Sequence, residues 1–123
     1  MEWREERLLR VLEKHKGREN RIGMRELYYQ VMARLCDHLI NDTTELRIII
    51  RRLRRQGHPI CSMNDKYNPG YYLAETPEEL LEFVDRHRRR GLTSLAQAAA
   101  LLKIGLPELL GQLQFQLEAK RKG

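Results

Sequence analysis

DTTELRIIIRRLRRQGHPICSMNDKYNPGYYLA, residues 42–74, decides the reading of this chain, because it passes from a helical to an extended pattern across a single glycine. Leu46, Ile50 and Leu53 fall at i, i+4 and i+7 with Ile49 beside them, which predicts a helix over Asp42–Gln56 with one buried side. Asp42 or Thr43 is the expected N-cap, since a short side-chain oxygen can accept from an unpaired N–H of the first turn. Gly57 can take the left-handed conformation that closes the helix, and Pro59 lacks the amide needed to continue it. Beyond the glycine, Pro59–Ser62 and Gly70–Leu73 place β-branched and aromatic residues on either side of the polar MNDKYNP, a pattern that predicts a hairpin.

Working outward, Trp3, Leu8, Val11 and Leu12 recur at helical spacing from Trp3 to His15, and Gly17 ends that run. Arg18 to Ile22 is a polar connector in which Ile22 is a candidate third strand. MRELYYQVMARL, from Met24, sets Leu27, Val31 and Leu35 on one face with Tyr28 near it. Cys36 to Asn41 then joins two helices, with Leu39 or Ile40 as the apolar residue expected to pack the turn.

Leu53-Arg54-Arg55-Gln56-Gly57-His58-Pro59-Ile60, a turn, and Gly70-Tyr71-Tyr72-Leu73 together resemble the helix and wing of winged helix-turn-helix domains of the biotin-operon-repressor type. The likeness spans about residues 3–74 and is strongest over 46–73; the connector 36–41 is longer than the tight turn of that family. The resemblance implies that the helix over Asp42–Gln56 enters the DNA major groove and that the wing touches the adjacent backbone. On that reading Thr43, Thr44 and Arg47, near the helix start, are the candidates for base edges. Arg51 and Arg55 lie off the apolar side, where they can neutralise phosphates or present forked donors to guanine, and Arg52 belongs to the same DNA-binding set. At the wing tip Asn64 and Lys66 are candidates for phosphate, and Tyr67 for the sugar edge. Ile48 projects away from the buried side, so it either meets a thymine methyl or is covered by another helix. Similar small proteins occur among phage and prophage regulators.

Composition points the same way. The 123-residue chain has a formal charge of +6 and a pI near 9.6, which favours an anionic partner. Clustering matters more than the total: Arg47, Arg51, Arg52, Arg54 and Arg55 face only Asp42 and Glu45 at the helix start, where acids suit the macrodipole. No apolar run approaches the roughly 18 residues that span a bilayer, and MEWREERLL is no signal peptide, so the expected setting is cytoplasmic, in a bacterium or a phage-infected host, without membrane contact. Cys36 and Cys61 are too few for a disulfide scaffold.

After the hairpin, Thr76 can cap a helix that begins at Pro77 and carries acids in its first turn. Leu80, Leu81, Phe83, Val84 and His87 give it an apolar side, and Arg86, Arg88, Arg89 and Arg90 crowd its end before Gly91. The remaining segment has the spacing of a second, weaker resemblance, to the Fis-type helix-turn-helix. Leu95, Ala98, Ala99 and Leu102 fall on one helix, Ile104-Gly105 in the turn, and Pro107, Leu110 and Leu113 on the next. Glu108, Gln112, Gln114 and Gln116 stand where a helix facing phosphates needs cations, so packing or oligomerisation is the expected role.

The expected fold is therefore mostly α with a small β-wing: a winged helix-turn-helix domain over 1–75 and a helical extension over 76–123, with helices about 77–90, 93–103 and 107–120. The expected function is binding of double-stranded DNA by a small transcriptional or phage replication-associated regulator, as a homodimer through residues 92–118. The alternative is a winged-helix adaptor that binds protein without direct DNA contact. No cofactor is implied. Cys36, His38, His58 and Cys61 offer soft ligands, but their spacing matches no standard zinc finger. Neither a nucleophile elbow, a phosphate-cradling glycine loop nor a clustered carboxylate pair occurs, so no enzyme is expected.

Overall fold

The computed structural model describes residues 2–122, and the chain divides into two compact units, Met1–Phe83 and Val84–Gly123. It is mostly helical, with one small antiparallel sheet. In order come α1 (Trp3–Glu13), a single 3-10 turn (Arg18–Asn20), α2 (Met24–Met32), α3 (Leu39–Asp42), α4 (Thr44–Arg55), β1 (Ile60–Met63), β2 (Gly70–Leu73), α5 (Pro77–Leu102) and α6 (Leu106–Lys122). No helix among the described residues is long and apolar enough to cross a membrane.

The first unit is built round α4. Three consecutive isoleucines, Ile48 to Ile50, are no local preference for helix, each costing a few tenths of a kcal/mol against alanine. Burial decides the matter: Leu46, Ile49, Ile50 and Leu53 are almost fully enclosed, at about 1.5–3 kcal/mol for each large aliphatic side chain. They meet Leu8 and Leu12 of α1, Leu27, Tyr28 and Val31 of α2, and Ile60 of β1 in one cluster. Gly57, at φ 96°, ends the helix in the left-handed region as its sequence position predicts.

β1 and β2 pair antiparallel, with Ile60 opposite Leu73 and Met63 opposite Gly70. Ile22 contributes a single bridge to Tyr71 rather than a third strand, donating to and accepting from it at 2.8 and 2.9 Å. A second bridge, parallel, joins Lys16 to Leu73. The backbones of Ile22 and β2 approach so closely that a Cβ on Gly70 would lie 2.8 Å from the Ile22 carbonyl oxygen.

The connector before α4 departs from its sequence reading. Ala33 takes φ 58° and ends α2 at Met32, so Leu35 leaves the helical face assigned to it and is 77% exposed. Leu39 and Ile40 do not pack the turn either; both are exposed, and the fully buried Thr43 fills that place. Thr43 stands at the N-cap position of α4 as expected, but its hydroxyl donates back to the Leu39 carbonyl and makes no capping bond to the first turn. Asp42 reaches the other way, accepting from the amides of Asp37 and His38 at 3.0 Å each.

Thr76 caps α5 as expected, its hydroxyl oxygen accepting from the Glu79 amide at 3.2 Å. The first compact unit extends to Phe83, which is buried with Cys61 and Tyr72. The expected helices 77–90 and 93–103 are one helix, Pro77–Leu102. A lone glycine in a helix costs only about 1 kcal/mol against alanine, and the alanine- and leucine-rich run after Gly91 sustains the helix. The stop comes at Lys103, at φ 57°, where the Ile104 amide bonds the Ala99 carbonyl at 3.0 Å. In the second unit Ala99 and Leu109 are buried, whereas Leu92, Leu101, Leu102, Leu110, Phe115 and Leu117 are exposed.

Candidate nucleic-acid interface

The arginines of α4 divide into those that hold the fold and those that do not. Arg52 donates to the buried carboxylate of Glu5 at 2.8 Å and lies 3.5 Å from Glu2, tying α4 to the start of α1. The hydrogen bond to Glu5 holds its pKa above the ordinary arginine value. Arg52, expected among the DNA-binding residues, thus has its charge answered within the unit. Arg54 is half-buried and also engaged. Its Nε donates to the Ile60 carbonyl at 2.7 Å, and its guanidinium lies 4.9 Å from the Phe83 ring centre and 5.9 Å from that of Tyr71. Burial pushes its pKa down.

Arg47 is half-buried, donating through Nη2 to the Ile40 carbonyl at 2.6 Å and to the Thr44 hydroxyl at 3.2 Å. No carboxylate partners it among the described residues. Arg51 and Arg55 are exposed, and among the described residues neither makes a hydrogen bond or ion pair. Glu45, the acid at the helix start, is engaged by Arg4 of α1. The outward side of α4 therefore carries two unanswered guanidinium groups, with Arg47 beside them.

Other candidates fare unequally. Thr43 cannot reach a base edge, because it is wholly buried with its hydroxyl turned to Leu39. Thr44 is exposed, although its hydroxyl back-bonds to Ile40 at 3.1 Å. Ile48 is 42% exposed, so no element of the described chain covers it completely. Between the start of α4 and the hairpin lies a groove of about 220 Å³, with Leu39, Ile40, Met63 and Tyr71 among its walls and Arg47 on its rim. A second hollow, which shares Arg47 and Tyr71 with it, is lined by Arg47, Ile50, Arg51, Arg54 and Tyr71. Helix and hairpin thus bound one concave, cationic surface.

The hairpin loop, 64–69, is ordered from within. The Asp65 carboxylate accepts from the Tyr67 amide at 2.9 Å, and Arg21 donates to the Asn68 carbonyl at 2.7 Å while lying 3.5 Å from Asp65. Asn64, Lys66 and Tyr67 are exposed there, with the Lys66 ammonium 5.7 Å from the Tyr67 ring centre. Sequence reading missed the anchoring roles of Arg21 and Arg54, whose partners lie across turns of the chain. The only local hint was the position of Arg54, next to Leu53 and four residues from Ile50, at the margin of the buried face.

Cys36 is half-buried and Cys61 fully buried, and among the described residues no group of three or more His, Cys, Asp or Glu side chains is placed to hold a metal ion. Compared with protein-family models, curated proteins and solved structures, the chain matches none.

Proposed function

We propose that the protein binds double-stranded DNA as a small transcriptional or replication-associated regulator of winged-helix form, with α4 as recognition helix and the β1–β2 hairpin as wing. The observation that carries this reading is the division among the α4 arginines. Arg52 and Arg54 are committed to the fold, while Arg51 and Arg55 stand exposed on a rigid, core-anchored helix, where phosphate oxygens are their natural partners. Of the base-contact candidates, Thr44, Arg47 and Ile48 remain in this reading once the buried Thr43 is set aside. Lys66 and Tyr67 reach backbone from the loop.

The test is a titration of full-length protein against duplexes of unrelated sequence at several salt concentrations. Arg51→Ala and Arg55→Ala each weaken binding without lowering the melting temperature, and wild-type affinity falls steeply with salt as neutralised phosphates release counterions. Wild-type affinity in both variants removes the assignment of α4. Selection of bound fragments from random duplex then reports the preferred sequence and any half-site symmetry.

A second reading is favoured by the exposed Leu35, Leu39, Ile40 and Ile48 around the connector, an apolar surface suited to an adaptor that binds another protein. Binding through it persists at high salt. For the second unit we propose self-association through residues 92–118, since Leu101, Leu102, Phe115 and Leu117 are exposed and two-fold closure is the commonest way to bury such a surface. Sedimentation as a monomer at tens of micromolar overturns it.

A further inference from the structure

The two hollows between α4 and the hairpin differ in chemistry and share two side chains. The first, of about 220 Å³, has Met24, Leu39, Ile40 and Met63 among its walls. The second, of about 260 Å³, is lined by Arg47, Arg51 and Arg54 together with Ile50. Arg47 and Tyr71 belong to both, and neither lining includes an acidic side chain. An apolar groove and a cationic seat thus meet at one arginine and one tyrosine.

Both halves follow from the local chain. Because Thr43 fills the turn, Leu39 and Ile40 face outward at the groove, 44% and 70% exposed. Arg47, Ile50, Arg51 and Arg54 recur at i, i+3, i+4 and i+7, which sets them along one side of α4. Arg47 spends only its Nη2 on the Ile40 carbonyl and the Thr44 hydroxyl. Its Nε and Nη1 donors have no acceptor among the described residues, and the hydroxyl of the half-buried Tyr71 makes no hydrogen bond there either.

We infer that the two hollows form one binding site for a small amphipathic carboxylate, its apolar body lying between Leu39, Ile40 and Met63 and its carboxylate on Arg47 with Arg51 beside it. Charge complementarity selects the head, since a guanidinium with donors to spare and no acid nearby matches a carboxylate's two oxygens. Size selects the body. An apolar cavity of about 150 Å³ holds benzene, so this groove suits a single ring or a short acyl chain. A partner helix presents a row of side chains at i, i+3, i+4 and i+7, more than a groove of this volume admits. Bare phosphate gains nothing from aliphatic walls. One consequence rests on the DNA-binding reading of α4: ligand and duplex contend for Arg47 and Arg51, so occupation of the site lowers duplex affinity.

The experiment titrates the isotope-labelled full chain with hydrocinnamate, its neutral amide and inorganic phosphate, and follows the backbone signals by NMR. Hydrocinnamate is expected to shift Leu39, Ile40, Arg47, Met63 and Tyr71 together and saturably. The neutral amide binds about tenfold more weakly or worse, as does hydrocinnamate to R47Q, since each lacks one charge-assisted contact. I40Q, altered at an exposed wall, also weakens binding and keeps the wild-type melting temperature, so the site stays testable if R47Q loosens the connector. At matched ionic strength, saturating hydrocinnamate lowers duplex affinity about fivefold or more, whereas acetate, which has no apolar body, does not.

Absence of a saturable shift up to about 10 mM hydrocinnamate overturns the inference, because even a weak site of this kind fills by then. Equal binding of the amide overturns the role of Arg47, and the same shifts at the same affinity with phosphate overturn that of the groove. If an acidic amphipathic peptide occupies these residues and hydrocinnamate does not, the groove belongs to a protein partner and the inference fails. Undiminished duplex affinity at saturating hydrocinnamate overturns the competition. Absence of duplex binding by the wild-type protein removes the α4 reading instead, and the ligand titration still decides the site by itself.

Discussion

The two units of this chain use their apolar residues in opposite ways. In Met1–Phe83, leucines and isoleucines from α1, α2, α4 and β1 close on one another until several are wholly enclosed. In Val84–Gly123, Ala99 and Leu109 are buried while most of the large apolar side chains stand exposed. The charged residues differ in parallel. Arg52 and Arg54 of the first unit are bonded to Glu5 and to the Ile60 carbonyl, whereas Arg88 and Arg89 of the second share one exposed aspartate. The lesson is that the first unit owes its stability to its own interior, so its free surface can be altered without unfolding it.

The sharpest way to break this contrast is to remove one leucine from each unit. Leu53→Ala, at a fully enclosed position, is expected to cost about 2–5 kcal/mol through lost burial and the cavity left behind. Leu101→Ala, at a position 84% exposed, changes the stability of the unassociated chain, measured at low protein concentration, by less than about 0.5 kcal/mol. Denaturant melts of the two variants read the difference directly, and equal losses would refute it.

Next in size is a comparison of arginines. Arg54→Ala strands the Ile60 carbonyl and uncovers Phe83, at a cost of about 1–3 kcal/mol. Arg51→Ala leaves the melting temperature where it was and lowers duplex affinity alone. A drop in stability for Arg51→Ala would mean that α4 has no free side.

Glycines sharpen the comparison further, because the same substitution should act with opposite sign. Gly57→Ala forces a side chain into a backbone at φ 96° and destabilises by about 1 kcal/mol, although nothing lies within 4 Å to clash with it. Gly91→Ala, inside the continuous α5, also meets no neighbour within 4 Å and stabilises the helix by up to about 1 kcal/mol. Thermal melts and helix content by circular dichroism test both. A destabilised Gly91→Ala would restore the break expected there.

The smallest effect lies in the connector before α4. Amide donation from His38, and then from Asp37, holds the Asp42 carboxyl below its ordinary value of 3.8. A depressed carboxylate pKa gives stability that is present above the unfolded value and lost as pH falls through the folded one. Protection of the His38 amide from exchange, relative to its intrinsic rate at each pH, should therefore fall only below about pH 3.8, whereas Asp42→Asn removes this pH dependence. Identical pH profiles for the two proteins would dismiss the role of Asp42.

How much could be read in advance follows from the range of the interactions. Leu46, Ile49, Ile50 and Leu53 announced the buried side of α4 through a period of 3.6, and Gly57 announced its end, since both signals are written within a few residues. The hairpin was legible for the same reason, in two short β-forming runs around a polar turn, and so was the Thr76 cap. The candidate arginines were legible only as a cluster. Nothing near Arg52 or Arg54 reveals that Glu5, 47 residues earlier, answers the first, or that Ile60 and Phe83 enclose the second. Gly91 read as a stop because glycine is a weak local signal, and the helix-forming run beyond it outweighed that signal.

Local pattern by itself therefore determined the position of α4, its buried face and the turn into the hairpin, because steric and hydrophobic preferences act between neighbours. Tertiary structure alone decided which guanidinium groups remain available and that Thr43 faces inward while Leu35, Leu39 and Ile40 face out. Those outcomes depend on hydrogen bonds and packing between segments far apart in the chain, whose meeting no short-range periodicity encodes.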